Sequence, residues 1–488
     1  MVARRTASPT ESRAWVTLRL ALVVMALGAA GWLVAQAPLR YLMVALGGLV
    51  AAGALLWQPW LGLCGLAVAV PFGPLASISV GSVQVGPAEL LLLATLLAWY
   101  VRGSLGEARP LHLGGLATAI GITVLTALIS AYPAAQLGAA AQDLAKWVGL
   151  GAVMLFASSQ LTSRQIGWVA AALLLGGAAQ GILGVYQFLT QSGPEAFQLL
   201  SRYMRAHGTF GQPNPYAGYL GLVLPLGYTL VLALIARKGT RRRADWGLAV
   251  LAAAGAACIT AGLVLSWSRG ALLAAGVALA MVVLVSGRRA RIGALVAGGL
   301  LVALGPWLMG LTPQGVLDRL VGGLQLLGAD LSAIEVTDAN FAMIERLAHW
   351  TAAWRMFEQR PWLGVGLGQY AVVYPQVAIP RWTDPLGHAH NMYLHVLAEQ
   401  GLLGAVGLAA FFVGGLAAAW KRIQRSSGWR RAIALGCWGM LWHLAAHSVV
   451  DLLFVQGVYL LIGMVLGLMV AASQQEETPV GSDNHAVV

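Results

Sequence analysis

The sequence predicts an all-α, polytopic integral membrane protein with about 12–14 transmembrane helices and one large loop on the outer side of the membrane. Three observations carry this prediction. Of 488 residues, 59% are hydrophobic and only 10% charged, where soluble domains carry roughly 25% charged residues. Apolar runs recur along nearly the whole chain at about the length that crosses a bilayer, ~20 residues rising ~1.5 Å each through ~30 Å of hydrocarbon. Backbone groups find no water at that depth, so such runs must be helices, and the 61 glycines suit helices that approach one another closely. A membrane β-barrel would show short alternating segments instead.

Taken in order, residues 1–14 are polar and carry Arg4, Arg5 and Arg13. With no small-residue cleavage site after the next apolar run, they read as a cytoplasmic segment rather than a cleaved signal. Apolar runs follow at 16–36, 39–57, 60–72, 87–101, 113–131, 138–157, 165–189, 216–236, 246–265, 270–286, 292–309, 392–419, 432–450 and 452–472. The run at 60–72 is short and ends in Pro71-Phe-Gly-Pro74, as a half span or re-entrant piece would. The chain thus divides into N-terminal helices over 15–309, a large loop with interfacial helices over 310–389, C-terminal helices over 390–472, and a polar, disordered tail over 473–488. Cys64, Cys258 and Cys437 all fall in apolar runs without metal-ligand spacing and read as small core residues.

Basic residues set the orientation. With the N-terminus inside, the inner segments hold Arg4, Arg5, Arg13, Arg102, Arg109, Arg164, Arg237, Lys238, Arg241, Arg242, Arg243, Arg288, Arg289, Arg291, Lys421, Arg422, Arg425, Arg430 and Arg431, which is 19 of the 30 Lys and Arg. The 310–389 loop then lies outside, where five arginines face seven acids. The net charge of +12 is mostly this topology signal. The basic clusters are short, dispersed and attached to span ends, which argues against nucleic-acid binding.

Three places on the outer side combine polar groups with unusual turn chemistry. Arg202 to Tyr216 is punctuated by Gly and Pro and brings Arg205 to the membrane face. Ser266-Trp-Ser-Arg-Gly270 is a tight turn carrying Arg269, with no acid beside it in sequence. His388-Ala-His-Asn-Met-Tyr-Leu-His395 leads a polar loop into an apolar helix that continues through Gly401-Leu-Leu-Gly404. An interfacial arginine alone usually reaches a headgroup phosphate, a lone loop histidine is usually structural, and Gly401 and Gly404 also suit simple helix packing. The coincidence of two arginines and a histidine on one side favours an anionic, phosphate-bearing ligand.

The segment His390-Asn391, nine residues, then Gly401-Leu-Leu-Gly404 resembles the histidine motif of the O-antigen ligase and polymerase superfamily. Arg205-Ala-His-Gly-Thr-Phe-Gly-Gln-Pro-Asn214, Ser268-Arg269-Gly270, and Glu345-Arg-Leu-Ala-His-Trp350 leading into Pro361-Trp-Leu-Gly-Val-Gly-Leu-Gly368 resemble further blocks of that family, in the same order. The resemblance covers roughly residues 140–470. It implies a GT-C-type helical glycosyltransferase of the cytoplasmic membrane, opening to the periplasm or exterior. Such an enzyme moves a glycan from an undecaprenyl-diphosphate carrier to a hydroxyl on a glycan, a lipid-linked sugar or a protein. Arg205 and Arg269 would hold the diphosphate as charge builds on it. His390 would act as general base, with inversion at the anomeric carbon and no cofactor.

Further candidates for substrate contact are Lys146, Arg346, Asn391, His388 and Glu399. Each has a plainer reading. Lys146 lies three residues from Asp143 and pairs with it more readily. Glu399 follows His395 by four residues on one helical face. Arg346 also fits an amphipathic helix over about 340–358, with Phe341, Ile344, Leu347, Trp354 and Phe357 as apolar contacts along the membrane. His443, His447 and Asp451 step by four along one face and read as an internal hydrogen-bonded network, with a path to the site as the lesser alternative. No metal site is expected, because these two histidines and Asp451 would lie inside a span, away from the chemistry. The rival from another class is a transporter or flippase. That class commonly shows repeated halves and broken helices at the midplane, whereas here no internal repeat is evident and the polar motifs collect at one side.

Overall fold

The computed structural model describes residue 25 and residues 38–76, 78–80, 83–199, 203–236, 243–287, 331, 334–337 and 340–474. The expected cytoplasmic segment 1–14, the apolar runs 16–36 and 292–309, most of the basic cluster 237–243 and the tail beyond 474 lie outside the described residues. The chain forms two compact units, Met1–Pro59 and Trp60–Val488. In the first, the described helix is α1 (Leu39–Trp57).

The described residues of the second unit are mostly helical. Its helices are α2 (Leu61–Phe72), α3 (Pro87–Ser104), α4 (Gly115–Ser130), α5 (Leu137–Gln160), α6 (Ser163–Thr190), α7 (Pro213–Ala236), α8 (Arg243–Leu265) and α9 (Arg269–Val285). From residue 341 on come α10 (Phe341–Gln359) and α11 (Tyr370–Val377), both within the expected outer loop, then α12 (Met392–Arg425), α13 (Gly428–His447) and α14 (Val458–Gln474). The twelve apolar runs inside the described residues each coincide with one helix. Four helical stretches, Ser163–Thr190, Pro213–Ala236, Trp246–Leu265 and Met392–Arg425, are long and apolar enough to cross a membrane, and several shorter apolar helices accompany them. The protein is an all-α polytopic membrane protein. Two short hairpins are its only described strands, β1 (Ile78–Val80) with β2 (Val83–Val85) and β3 (Gln198–Leu199) with β4 (Tyr203–Met204). The short run at 60–72 is the twelve-residue helix α2, followed by a single 3₁₀ turn and the first hairpin.

Local chemistry sets the helix ends. Thr162 caps α6 in a reciprocal box with Gln165, which satisfies two otherwise orphaned donors. The Asn391 side chain caps α12 by accepting from Leu394 N at 3.0 Å. Inside the bundle α12 packs on α4 and α13, α13 also on α7 and α9, α14 on α5, and α6 on α8. Small residues make the closest of these approaches possible. A Cβ on Gly181 of α6 would lie 2.2 Å from the Cys258 carbonyl oxygen of α8, and one on Gly463 of α14 would lie 2.4 Å from Leu150 O of α5.

One continuous apolar core fills the bundle, from Leu63 and Leu66 of α2 to Leu468 and Met469 of α14. A smaller cluster of Ala352, Ala353, Met356, Tyr370, Tyr374, Ala389 and Ala398 fastens α10 and α11 onto the start of α12. The amphipathic helix expected at 340–358 is α10. Ile344, Leu347, Ala348, Ala352 and Met356 face the protein, so Ile344 and Leu347 are not the membrane contacts expected of them, while Phe341 and Trp354 are exposed.

The helix α12 runs from Asn391 to a basic end at Arg422 and Arg425. At that same basic end Arg431 donates to Val285 O at 3.2 Å and Arg422 to Ser473 Oγ at 3.0 Å. The polar motifs therefore gather at one end of the helices and these basic residues at the other.

Candidate active site

The centre of the motif-bearing end is the connection between α13 and α14, residues 448–457. Ser448 O accepts from Met392 N at 2.8 Å, which docks the start of α12. Val450 O accepts from Arg346 Nε at 3.1 Å, which ties down α10. A Cβ on Gly270 would lie 2.5 Å from Val450 Cγ2, so the first turn of α9 presses on the same residue. Gln456 Nε2 donates to Phe210 O at 3.3 Å, joining the 205–212 segment. Four motif blocks far apart in sequence thus meet on one short connection.

His390 is the residue before the α12 cap, with φ +49°. A non-glycine residue in that region costs of order 1–3 kcal/mol and persists only where its surroundings hold it. Here Trp350 Nε1 donates to His390 O at 3.3 Å, and His390 N donates to His388 Nδ1 at 3.1 Å. The ring nitrogen Nδ1 lies 3.3 Å from Asp451 Oδ1. An ionised carboxylate can only accept, so the neutral imidazole carries its proton on Nδ1 and keeps a lone pair on Nε2. That Nε2 atom is buried and has no hydrogen-bond partner among the described residues.

Asp451 is 5% exposed. Its Oδ1 also accepts from Leu452 N at 2.9 Å, and Oδ2 lies 4.0 Å from His447 Nε2. Burial works against ionisation, but the hydrogen bond from His390 and the nearby His447 imidazole outweigh it and hold the carboxyl well below the usual carboxylate range. Burial, with His390 adding to it, pushes His388 down to about 3 and His349 down to about 4. His349 stacks on Tyr374 at 4.8 Å, stands edge-on to His390 at 5.7 Å between ring centroids, and has Nδ1 3.1 Å from the Tyr370 hydroxyl. At neutral pH the site therefore presents an anionic Asp451 behind a histidine flanked by two neutral ones.

The arginine-bearing segments meet at Asn214. Arg205 donates from Nε to Ser266 O at 2.9 Å and from Nη2 to Asn214 Oδ1 at 3.2 Å. Asn214 Oδ1 also accepts from Ser268 Oγ at 2.9 Å. Asn214 lies in the first turn of α7 and Ser268 caps α9, so two helix N-termini converge there and add their positive ends to the two guanidinium groups. Arg269 is exposed beside the cap, and Trp267 before it has φ +55°.

The structure thus brings His388, His390, Asn391 and Arg346 together around 448–457 and links them through Gly270 and Val450 to Arg205 and Arg269. Lys146 and Glu399 belong elsewhere. Lys146 Nζ lies 2.5 Å from Asp143 Oδ1. Glu399 is 2% exposed, accepts from Gly368 N at 2.9 Å and Tyr370 N at 2.7 Å, and lies 3.6 Å from His395 Nε2. These bonds fasten the 364–370 segment between helices. Asn391 is likewise committed to its cap.

The expectation that His443, His447 and Asp451 form a hydrogen-bonded network away from the chemistry needs correction: the ring nitrogens of His443 and His447 make no hydrogen bond among the described residues, and Asp451 serves the site. Helix α13 ends at His447, so Asp451 lies in the connection beyond it, where its side chain reaches the loop before α12. Its candidacy was visible in sequence as an acid at the end of an apolar run, but its partner, 61 residues away, was not. His388, His390 and Asp451 bring ligand atoms within 4.8 Å of one another, as do Asp143, His395 and Glu399, so Asp451 is not kept from ligand-bearing neighbours by lying inside a span. In the first group His388 Nδ1 already accepts from His390 N and Asp451 already binds Nδ1 of His390. In the second, Lys146 occupies Asp143 and backbone N–H groups occupy Glu399. An ion at either place would have to displace bonds already made.

The glycines of the histidine motif have a structural cause. At Gly401 the backbone takes φ +61°, ψ −157°, interrupting α12. A Cβ there would lie 2.5 Å from the carbonyl carbon of Trp362. Pro361 O and Trp362 O accept from Leu402 N at 2.8 Å and Leu403 N at 3.2 Å, replacing the helix's own bonds. The loop 361–370 crosses α12 at this break and then carries the chain into α11.

A helical membrane bundle with a histidine–carboxylate pair joined to an arginine-lined meeting of helix N-termini defines a class, a membrane protein whose site suits a phosphate-bearing substrate. Residues 254–409, about a third of the chain, match the family described as O-Antigen ligase. The match takes in Arg269, Arg346, His388, His390, Asn391, Glu399, Gly401 and Gly404, while Arg205, Lys146 and Asp451 lie outside it. No curated protein shows significant similarity to the chain.

Proposed function

We propose that the protein is an inverting, metal-independent glycosyltransferase that moves a glycan from an undecaprenyl-diphosphate carrier to an acceptor hydroxyl at the outer face of the cytoplasmic membrane. The observation that carries this reading is the His390–Asp451 pair, built on the connection that also holds the Arg269 turn. The acceptor oxygen attacks the anomeric carbon as its proton passes to His390 Nε2. The bond from that carbon to the diphosphate oxygen breaks, and the diphosphate leaves with the electron pair. Asp451 keeps the ring in the tautomer whose Nε2 is basic and stabilises the imidazolium that forms. Arg205, Arg269 and the N-termini of α7 and α9 stabilise the departing diphosphate. The gathering of Arg422, Arg425 and Arg431 at the opposite end supports an outward-facing site. Arg346 and His388 line the approach to His390.

The test is transfer in proteoliposomes from a defined undecaprenyl-diphosphate glycan, with chelator present, comparing wild type with His390→Ala and Arg269→Ala. Transfer that withstands the chelator and falls by at least about 100-fold in each variant, roughly 2.7 kcal/mol of barrier, is the expected result. A lipid-linked repeat as the productive acceptor would make the protein a polymerase, and a terminal glycan or lipid acceptor a ligase. Undiminished transfer by both variants would refute the site. Translocation of the lipid-linked glycan without transfer would replace the enzyme with a flippase.

A further inference from the structure

We infer that Gln180 and Gln187 of α6 are positioning residues that hold the 205–209 segment so that Arg205 meets the donor diphosphate. This rests on the assignment of Arg205 to that diphosphate. The two glutamines stand seven residues apart, on one face of a helix long and apolar enough to cross the membrane. They are 0% and 8% exposed. A buried carboxamide is costly unless its donors and acceptor are all met, and here both bond the same loop, Gln180 reaching Pro71 O of α2 as well.

Gln187 Oε1 accepts from His207 N at 3.1 Å and Gly208 N at 2.8 Å, while its Nε2 donates to Gly208 O at 2.8 Å. Gln180 Oε1 accepts from Thr209 N at 3.1 Å, and its Nε2 donates to Thr209 Oγ1 at 2.8 Å and to Pro71 O at 3.1 Å. Thr209 Oγ1 also donates to Pro71 O. The backbone N–H groups of three consecutive residues, 207, 208 and 209, are therefore satisfied by two side chains of a neighbouring helix. Gly208 has φ +53°, and a Cβ on it would fall 2.3 Å from Gln180 Oε1, so the glycine of this block is what lets the loop lie on the amide.

The clamp acts on Arg205 through a short path. Ala206 N donates to Leu265 O at 2.9 Å, setting the backbone beside Arg205 against the end of α8. His207 Nδ1 lies 3.2 Å from Arg205 O. From that fixed backbone the guanidinium reaches Ser266 O and Asn214. Neither glutamine has to touch substrate. Their role is to keep the loop from sliding along α6, which would carry Arg205 away from the meeting of α7 and α9.

The experiment is a double-mutant cycle in the proteoliposome assay, with amide hydrogen exchange of residues 205–210 as a readout independent of activity. Gln187→Leu is expected to lower kcat/KM for the donor about tenfold, leave the acceptor KM and the pH profile of kcat unchanged, and accelerate exchange at 207–209. Added to Arg205→Ala it should cost less than a further twofold. Thr209→Val, which removes only the hydroxyl contacts, should show a smaller effect of the same pattern and keeps the test decisive if Gln187→Leu does not fold. An equal fold-loss in the wild-type and Arg205→Ala backgrounds would mean a general structural role and overturn the inference, as would unaltered exchange. Normal transfer by Arg205→Ala alone would instead refute the diphosphate assignment, a separate failure visible before either glutamine is changed.

Discussion

Replacing Asp451 with Asn tests the chemistry at its least exposed point. The substitution keeps size and shape, and an amide oxygen can still accept from His390 Nδ1 and Leu452 N. What it removes is the negative charge facing the imidazolium that forms during transfer. At the 3.3 Å separation of Oδ1 and Nδ1 and an effective dielectric of about 20, full charge–charge attraction amounts to roughly 5 kcal/mol. The retained hydrogen bond offsets part of this, leaving about 2–4 kcal/mol, or roughly 30- to 1,000-fold in kcat. Donor KM should change little, because Asp451 does not reach the arginine pair. Folding should not suffer greatly, since removing a buried charge relieves its desolvation even as His447 loses its partner. The assay is steady-state transfer across pH 5–9 with a parallel thermal melt in detergent. A variant within threefold of wild type in kcat, with an unshifted pH profile, would refute the account of His390 as a base held by Asp451.

Other outcomes follow from the same geometry. Gly401→Ala places a Cβ against Trp362 in a left-handed backbone, and should lower stability by roughly 2–4 kcal/mol, read as a lower melting temperature and reduced yield of folded protein. Arg205→Lys exchanges a fork of donors for a single ammonium, and should lower kcat/KM for the donor about 10- to 100-fold; equal kinetics would show that only charge matters at this position. Thermal stability should fall as pH drops from about 6.5 to 4. His349 takes up a proton near its ordinary value in the unfolded chain but only at about 4 when folded, so its contribution is complete above 6.5 and lost below. The contribution is on the order of 3 kcal/mol, and a His349→Phe variant that melts with the same pH dependence as wild type would contradict it.

The apolar runs placed twelve helices, with the ends of α12 and α14 off by about six residues, because long hydrophobic stretches in a bilayer leave the backbone no other option. The site was legible in parts. His390, Arg205 and Arg269 were marked by turn chemistry and by resemblance, and the structure brings their segments to one end of the bundle. Three things were not legible. Asp451 lies 61 residues from His390, and the contact depends on α13 stopping at His447, which nothing in the apolar pattern requires. Gln180 and Gln187 sit in a run whose hydropathy hides two amides. Glu399 is four residues from His395, as a helical pair would be, but its carboxylate is taken by backbone N–H groups from a loop whose path the sequence does not give.

The position of His390 depends on two interruptions of regular structure. At one end of the motif it occupies a left-handed backbone held by Trp350, His388 and the Asn391 cap. At the other, Gly401 opens α12 so that Pro361 and Trp362 can bond into it. Between them, Glu399 fastens the same loop through Gly368 and Tyr370, and Tyr370 in turn reaches His349 beside His390. The fixed interval from histidine to glycine therefore measures the length of α12 between the site and the crossing loop. An insertion of one residue in that interval would rotate His390 by about 100° relative to the break. It would part the ring from Asp451 without removing any chemical group, so the spacing is as much a condition of the site as the histidine itself.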